Sequence, residues 1–284
     1  MTSSAARSAH ASAPPTPDEH PRTAPRAVIT SASNPRIQWV RSLQRRRRVR
    51  EAERLFVVEG VRLAEEAFRA GVVPRLVVHA PDLDERAASL VHALARRGAT
   101  VLPVSPRVLA ACATTETPQG VVAVLPLPQP PAPAPLTFAL VADGLADPGN
   151  LGTLLRTALA AGVEAVFLSP GTVDAFNPKV VRAAMGAHFH LPLIRDTVEA
   201  IRQRLGDLPL WLALSRGGTA YDRLDARRPL ALVIGGEAHG PSEFWRRHAA
   251  VSVSIPTASA VESLNAAVAA AVILFEVRRQ RGPS

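Results

Sequence analysis

The chain has 284 residues, of which 47% are hydrophobic and 20% charged, so it has enough apolar material for a sizeable core and enough length for one or two domains. This composition excludes a wholly disordered chain. The longest uncharged apolar run, Ala266 to Phe275, is too short to span a bilayer, and no apolar signal segment follows the N-terminus. Cys112 is the only cysteine, which excludes an intrachain disulfide and a cysteine-based metal site. We expect a cytoplasmic protein with no membrane attachment.

The net charge of +9 is unevenly distributed. Residues 27–125 contain 15 arginines against 9 acidic residues, whereas residues 137–284 contain 15 basic residues against 13 acidic ones. Since phosphate backbones are bound mainly through Arg and Lys, a basic module beside a near-neutral one suggests a nucleic-acid-binding region attached to a second domain. Arginine makes up 32 of the 33 basic residues, a usage that a G+C-rich genome would also produce. Charge alone therefore does not decide whether the partner is a nucleic acid.

Two segments of biased composition divide the chain. Residues 1–26 are mostly Ala, Ser, Pro, Thr and Arg, which predicts a disordered tail. A mitochondrial transit peptide is the alternative, disfavoured by Asp18 and Glu19. Residues 126–136 begin PLPQPPAPAP, which predicts an extended proline-rich linker between a domain at 27–125 and a domain at 137–284.

The first domain alternates helical and strand patterns, which predicts a small α/β fold. The predicted elements, in chain order, are a helix from Pro35 to about Arg54, a strand Leu55 to Val58, a helix Val61 to Ala70, a strand Arg75 to His79, a helix Leu83 to Arg97, a strand Thr100 to Val104 and a strand near Val121.

The second domain contains short apolar runs separated by helix-like stretches, which predicts a mostly parallel sheet covered on both faces. The runs are Phe138 to Ala142, Ala165 to Ser169, Leu208 to Leu214, Ala231 to Ile234 and Val251 to Ile255. Ligands of such sheets bind beyond the carboxyl ends of the strands. We therefore expect the chemistry in the loops after Ala142, Leu214, Ile234 and Ile255.

Three motifs stand at these strand ends: DGLADPGNLGTLLRTALAAG at 143–162, GGEAHG at 235–240 and IPTASAVESLN at 255–265. No P-loop is present, and no GxGxxG follows the first strand of either domain. No His and Asp pair stands near the motifs at a spacing that indicates a hydrolase triad.

Together with NPKVVRAAMGAHFHLP at 177–192, these motifs resemble the SpoU (TrmH) family of the SPOUT superfamily, RNA ribose 2'-O-methyltransferases that use S-adenosylmethionine. SNPRIQWVRSL, RLFVVEGVRLAEEA and TTETPQGVVAV resemble the family's N-terminal RNA-binding domain. The resemblance implies a deep trefoil knot in the C-terminal domain, a homodimer whose active sites are completed near the interface, and no metal. It implies large-subunit ribosomal RNA as substrate, with transfer RNA second. A non-catalytic RNA-binding factor of ribosome assembly is the alternative.

The resemblance also implies site residues. Gly235, Ile255 and Leu264 are expected to bind the adenine of the cofactor, because a flat ring needs close backbone and flanking apolar groups. The expected catalytic residues are Arg156, Asn150, Glu237, Ser263 and Asn265. A guanidinium is a reluctant base, so Arg156 is expected to orient the hydroxyl and stabilise its alkoxide, unless the neighbouring sulfonium makes it release a proton more readily. From the residues alone, Asn150 and Asn265 fit helix caps equally well.

Several positions depart from the family's usual pattern. Gly236 and Ala238 stand where Asn and Gly are usual, Thr257 and Ser259 stand where Met and Gly are usual, and Ala184 replaces a common Ser. These changes bear on cofactor affinity more than on reaction type.

The densest basic run is Arg45, Arg46, Arg47 and Arg48, with Arg41 and Arg50 nearby. We expect the run and Arg41 to contact RNA phosphates, although a charged run is more often a solvated helix face. Trp39, in the same segment, is expected in the core rather than stacked on a base.

Overall fold

The structure is a computed structural model that describes residues 27–258 and 262–282; the predicted tail lies outside the described residues. The described N-terminal domain is a mixed four-stranded sheet, in the order β1-β4-β2-β3, with helices on both faces. Its elements are α1 Pro35–Arg45, α2 Arg47–Glu53, β1 Leu55–Glu59, α3 Val61–Arg69, β2 Leu76–His79, α4 Glu85–Arg96, β3 Thr100–Pro103, α5 Pro106–Cys112 and β4 Val121–Pro126.

Alternating side chains of this sheet fill two cores. Phe56 and Val58 face α3 and α4, whereas Leu55 and Val57 face α1 and α5. This alternation is the period of two that a strand imposes on its side chains. Trp39 packs against the second core as expected, and its indole N–H donates to Glu53 Oε2 at 2.6 Å.

The prediction of one helix from Pro35 to Arg54 is wrong. Arg46 has extended backbone angles (φ −118°, ψ 108°) and separates α1 from α2. The break turns α2 so that Arg50, 4% exposed, donates from Nη1 to the carbonyl of Leu43 and from Nε to Asp174 Oδ2 at 3.0 Å. A tertiary ion pair therefore overrides a sequence that is compatible with one continuous helix.

The C-terminal domain is a parallel sheet which, in the part of the chain described, has seven strands in the order β7-β6-β5-β10-β8-β11-β9. Its elements are β5 Phe138–Asp143, α6 Pro148–Ala161, β6 Ala165–Leu168, α7 Pro178–Ala184, β7 Leu193–Arg195, α8 Val198–Leu205, β8 Leu210–Leu214, β9 Thr219–Ala220, β10 Leu230–Gly235, α9 Glu243–His248, β11 Val251–Ser254 and α10 Ala266–Arg281. Helices α6, α7 and α10 cover one face, and α8 and α9 cover the other.

Helix α6 is fixed between two neighbouring helices. A Cβ at Gly152 would collide with Ala183 of α7, so only glycine allows the two helices to pack this closely. Helices α6 and α10 run side by side in the same direction, because Asn265 contacts Asn150 near their N-terminal ends and Arg278 lies beside Gly162 at their C-terminal ends.

The two domains share a buried aromatic cluster. Phe56 of β1 lies edge-on to Phe176 of the C-terminal domain, with ring centroids 5.2 Å apart, and His188 and Phe189 pack against the same rings. Burial lowers the pKa of His188 to about 4, although its hydrogen bond with the Ala175 carbonyl opposes the shift. The cluster and the Arg50–Asp174 pair hold the domains in one orientation. None of the described helices has the length and apolar character needed to cross a membrane.

Candidate active site

A cavity of about 570 Å³ opens at the carboxyl ends of β8, β10 and β11. This is the edge of the parallel sheet at which ligands are expected. Among the sequence-predicted residues, the cavity is lined by Gly235, Glu237, Ile255, Ser263, Leu264 and Asn265. The structure therefore brings together the second and third motifs, which lie about 20 residues apart in the chain.

The loop after β10 folds back on itself over the cavity. Gly236 pairs with Gly240, which has a left-handed backbone (φ +65°). A Cβ at Gly236 would approach the Gly144 carbonyl oxygen to 2.5 Å, so this loop conformation excludes the Asn that the family usually has there. Ala238 is exposed and is not among the described residues with positive φ, so it requires no glycine.

A chain of amide and carboxylate hydrogen bonds connects the first motif to this cavity. Asn150 Nδ2 donates to Glu237 Oε1 at 2.7 Å, and Asn265 Nδ2 donates to Asn150 Oδ1 at 2.9 Å. Asp147 is the N-cap of α6, because its carboxylate accepts from the Asn150 backbone N–H at 2.7 Å. The side chain of Asn150 is therefore free of the capping role and joins the network. Asn265 does both, since its Oδ1 caps α10.

Sequence reasoning missed Asp143, which anchors the loop over the cavity. This carboxylate is 5% exposed and accepts from Ser169 Oγ at 2.6 Å and from the Ser242 backbone N–H at 2.7 Å. Asp143 thereby connects the ends of β5 and β6 to the end of the Gly235–Ser242 loop. The available signal was an acidic residue directly after the apolar run FALVA.

Arg156 lies outside the cavity. It is exposed on α6, about 9 Å along the helix axis from Asn150, with no hydrogen-bond or ion-pair partner among the described residues. Glu237, a candidate for orienting Arg156, instead accepts from Asn150 and, at 3.4 Å, from the Ala146 backbone N–H. One chain by itself does not bring Arg156 to the other candidate catalytic residues.

Comparison with known proteins decides the family. Residues 137–275 match the SpoU rRNA Methylase family, and residues 34–123 match the MRM3-like substrate binding domain. The chain is 32% identical over 253 residues to the 23S rRNA (guanosine(2553)-2'-O)-methyltransferase RlmP of Bacillus subtilis, which covers 88% of this chain and 98% of that protein. The chain belongs to the SpoU rRNA Methylase family.

Solved structures agree with this SpoU assignment. The AdoMet-bound rRNA methyltransferase from Sinorhizobium meliloti has a TM-score of 0.78 and 31% identity, covering 89% of this chain and 97% of that one. The SpoU methyltransferase AviRb from Streptomyces viridochromogenes, in complex with AdoMet, has a TM-score of 0.76 and 31% identity, covering 87% and 99%. The predicted family, α/β fold class, S-adenosylmethionine cofactor and enzyme class, an RNA 2'-O-ribose methyltransferase, are confirmed. The knot and the homodimer stay predictions.

The cavity suits the cofactor of the SpoU family. Its volume lies in the range of small-molecule sites, about 300–1,000 Å³. Ile255 and Leu264 are half-buried and offer apolar surface to a flat ring. Gly235 also lines the cavity, and a Cβ there would collide with the Pro241 nitrogen at 2.0 Å, so glycine is required for the loop to fold back at this point. Glu237 and Arg246 add one charge of each sign at the wall, which matches a ligand that combines a nucleoside with a charged amino acid.

The basic run of the SpoU chain lies at the same edge of the sheet as the cavity. Arg45, Arg46, Arg47 and Arg48 are exposed, Arg47 pairs with Glu51 at 2.7 Å, and Arg41 is half-buried. Partial burial and the nearby Arg47 guanidinium lower the pKa of Arg195, so the run lies close to the carboxyl end of β7. Three strand spacings, about 14 Å, separate β7 from β10.

Proposed function

We propose that this chain methylates a ribose 2'-hydroxyl of large-subunit (23S-type) ribosomal RNA. One observation carries the reaction: the Asn150–Glu237–Asn265 network joins the starts of α6 and α10 to the loop that walls the cavity. The substrate class is supported by the Bacillus subtilis relative, which is named a 23S rRNA methyltransferase and aligns over 98% of its length. The cytoplasmic location stays a prediction.

In this proposal the cavity residues bind and orient the cofactor, which supplies an electrophilic methyl group when bound. Ile255 and Leu264 flank the adenine, and Gly235 contributes to the wall beside them and lets the loop fold back over the cavity. Asn150, Glu237 and Asn265 hold one another in fixed rotamers, with Ser263 beside them at the start of α10. Their polar atoms then meet the ribose in a set geometry, which lowers the entropy that alignment of the reacting groups requires.

Arg156 is proposed to stabilise the developing 2'-alkoxide of the RNA. A guanidinium stays protonated in proteins, so its fixed positive charge suits an oxyanion better than proton removal. Its position outside the cavity of its own chain favours action at the site of a partner.

A homodimer supplies that partner. Leu159 of α6 and Val268 and Phe275 of α10 are 36%, 51% and 47% exposed, which is high for large apolar side chains. Leu159 lies one turn from Arg156, and α10 is the parallel neighbour of α6, so the helix pair that carries Arg156 also carries an exposed apolar surface. Burying this surface against a second copy would bring Arg156 next to the other chain.

Site-resolved methylation of defined RNAs tests the proposed function. Unmethylated 23S ribosomal RNA, 16S ribosomal RNA and a transfer RNA pool, all transcribed in vitro, are incubated with the protein and S-adenosylmethionine, and mass spectrometry of nuclease digests locates each 2'-O-methyl group. We expect one methylated nucleotide in 23S ribosomal RNA, formed by the Arg156→Ala protein more slowly by on the order of a hundredfold or more. Methylation confined to transfer RNA, or the same methyl group deposited by the Arg156→Ala protein at the wild-type rate, would contradict the proposal.

A further inference from the structure

The guanidinium of Arg246 lies at the wall of the cavity and has no assigned role. Arg246 comes from the short helix α9, which follows directly after the Gly235–Ser242 loop. Its Nε donates to the Pro241 carbonyl at 3.1 Å, and a Cβ placed on Gly240 would meet its Nη2 at 3.4 Å. The charged end of the side chain, and not only its aliphatic stem, is therefore held against the loop that closes the cavity.

The charge of Arg246 is not neutralised within the described part of the chain. None of the described carboxylates lies within ion-pair distance of it, whereas its neighbour Arg247 pairs with Glu243 at 3.7 Å. With Nε oriented by Pro241, the two Nη groups remain available as a pair of donors. A guanidinium that presents two donors in one plane binds a carboxylate in bidentate fashion.

The ionisable side chains that line the cavity indicate which residue would bind an anionic group of a ligand. Among the described lining residues these are Arg246, Glu237 and His239, so Arg246 supplies the only permanent positive charge. Glu237 already accepts two hydrogen bonds from its own chain, from Asn150 and Ala146. An anionic group inside the cavity therefore has one strong partner, Arg246.

We propose that Arg246 binds the carboxylate of the amino acid portion of S-adenosylmethionine and so acts as a specificity-determining residue for the cofactor. This inference rests on the proposed function, because it takes the cavity as the cofactor site. An RNA phosphate is the competing anion. The carboxylate is favoured because Arg246 lines the same cavity as Gly235, Ile255 and Leu264, whereas the exposed basic run that suits phosphates lies near β7.

Two ligands that differ only in the carboxylate test this proposal. S-adenosylhomocysteine keeps the amino acid group, and its decarboxylated analogue, 5'-deoxy-5'-(3-aminopropylthio)adenosine, lacks only the carboxylate. Calorimetry measures both dissociation constants for the wild-type protein and for the variants Arg246→Gln and Arg246→Lys. Arg247→Gln is the matched control, an exposed arginine on the same helix that does not line the cavity.

We expect Arg246→Gln to weaken binding of S-adenosylhomocysteine by on the order of tenfold to a hundredfold, the scale of a charge-assisted hydrogen-bonded pair. Binding of the decarboxylated analogue should be unchanged, and Arg246→Lys should recover part of the loss. Arg247→Gln should bind both ligands like the wild type. Unfolding temperatures without ligand identify any variant that fails to fold, and the Lys variant then provides the comparison.

Three outcomes would overturn the assignment. In the first, Arg246→Gln weakens both ligands equally or neither. In the second, it leaves both affinities intact and weakens RNA binding, which identifies a phosphate contact. In the third, His239→Gln and not Arg246→Gln removes the discrimination between the two ligands. If neither ligand binds the wild-type protein at all, the cofactor site itself is wrong, a failure distinct from that of Arg246.

Discussion

The cavity and the outer face of α6 differ in how their residues are held, although the same helix contributes Asn150 to the first and Arg156 to the second. At the cavity, residues from all three motifs meet within one chain, and Asn150, Glu237 and Asn265 hold one another by hydrogen bonds. On the outer face, Arg156 is exposed, and exposed apolar side chains lie on the same helix, Leu159, and on the neighbouring helix α10, Val268 and Phe275. The contrast teaches that the cavity is assembled within one chain, while Arg156, the residue proposed to stabilise the reacting hydroxyl, lies outside its lining.

Arg156→Ala should produce the largest effect. Loss of a preorganised positive charge at a developing oxyanion lowers the rate by on the order of a hundredfold or more, measured as single-turnover methylation. Cofactor affinity and the unfolding temperature should stay unchanged, because Arg156 has no contact with the cavity. Arg156→Lys should recover only part of the rate, since an ammonium lacks the planar fork. A folded Arg156→Ala protein that methylates at the wild-type rate would show that Arg156 is a surface residue with no part in the reaction.

Leu264→Asp should weaken cofactor binding at the cavity. A carboxylate at this half-buried apolar wall loses solvation when the ligand covers it, which we expect to raise the dissociation constant of S-adenosylhomocysteine about 30-fold. Leu264→Met keeps the apolar volume and is the control. Calorimetry that finds the same affinity in the wild type and in folded Leu264→Asp would remove Leu264 from the cofactor site.

Replacement of the basic run tests whether RNA binding depends on residues other than those of the cavity and of the outer face of α6. Changing Arg45, Arg46, Arg47 and Arg48 to Ala should weaken RNA binding about tenfold at near-physiological salt. The salt dependence should flatten as well, since each lost phosphate contact reduces the steepness of log K against log salt by about 0.7 to 0.9. Cofactor affinity should not change. Arg202→Ala/Arg204→Ala on α8 is the control for loss of charge elsewhere, with two charges removed in place of four. An equal effect per charge removed would identify the run as a solvated face.

His188 gives the smallest expected effect, on the stability of the domain interface. Its pKa is lowered to about 4 by burial, so between pH 6.5 and 4 the unfolded chain binds more protons than the folded one. The free energy of unfolding should therefore fall as pH decreases through this window, by at most about 1.4 kcal/mol per pH unit. Denaturant titrations of His188→Gln should lack this component; an identical pH dependence in the wild type and His188→Gln would show that His188 is not kept neutral.

Much of the architecture could be predicted from the sequence. Both sheets are built from apolar runs, and residues typical of turns mark the two ends of each run. The break at Arg46 was not predictable, since its cause is the contact of Arg50 with Asp174, more than 120 residues away. Helix α5 was missed because its seven residues are too few to show a helical period, and strands β7 and β9 were missed because three and two residues are too few to form an apolar run.

In the candidate site, too, some features could be predicted from the sequence and others could not. Motifs identified Gly235, Ile255 and Leu264 as cavity residues, and the cavity contains all three. Spacing alone did not show that Asp147 caps α6 and thereby releases Asn150, nor that Asp143 anchors a loop a hundred residues further along the chain. Only the fold shows that Arg156 is exposed and does not line the cavity of its own chain.

Subunit mixing tests the central claim, that Arg156 acts at the site of a partner chain. Arg156→Ala and Leu264→Asp proteins are mixed under conditions that exchange subunits, at a cofactor concentration that fills the wild-type cavity but leaves the Leu264→Asp cavity nearly empty. If the site is shared, each mixed dimer contains one intact site, and methylation should rise to about a quarter of the wild-type rate for random pairing. Mixing Asn150→Ala with Leu264→Asp is the control and should restore nothing, because those residues serve one cavity. A mixture of Arg156→Ala and Leu264→Asp no more active than its separate components, with exchange verified, would contradict the claim.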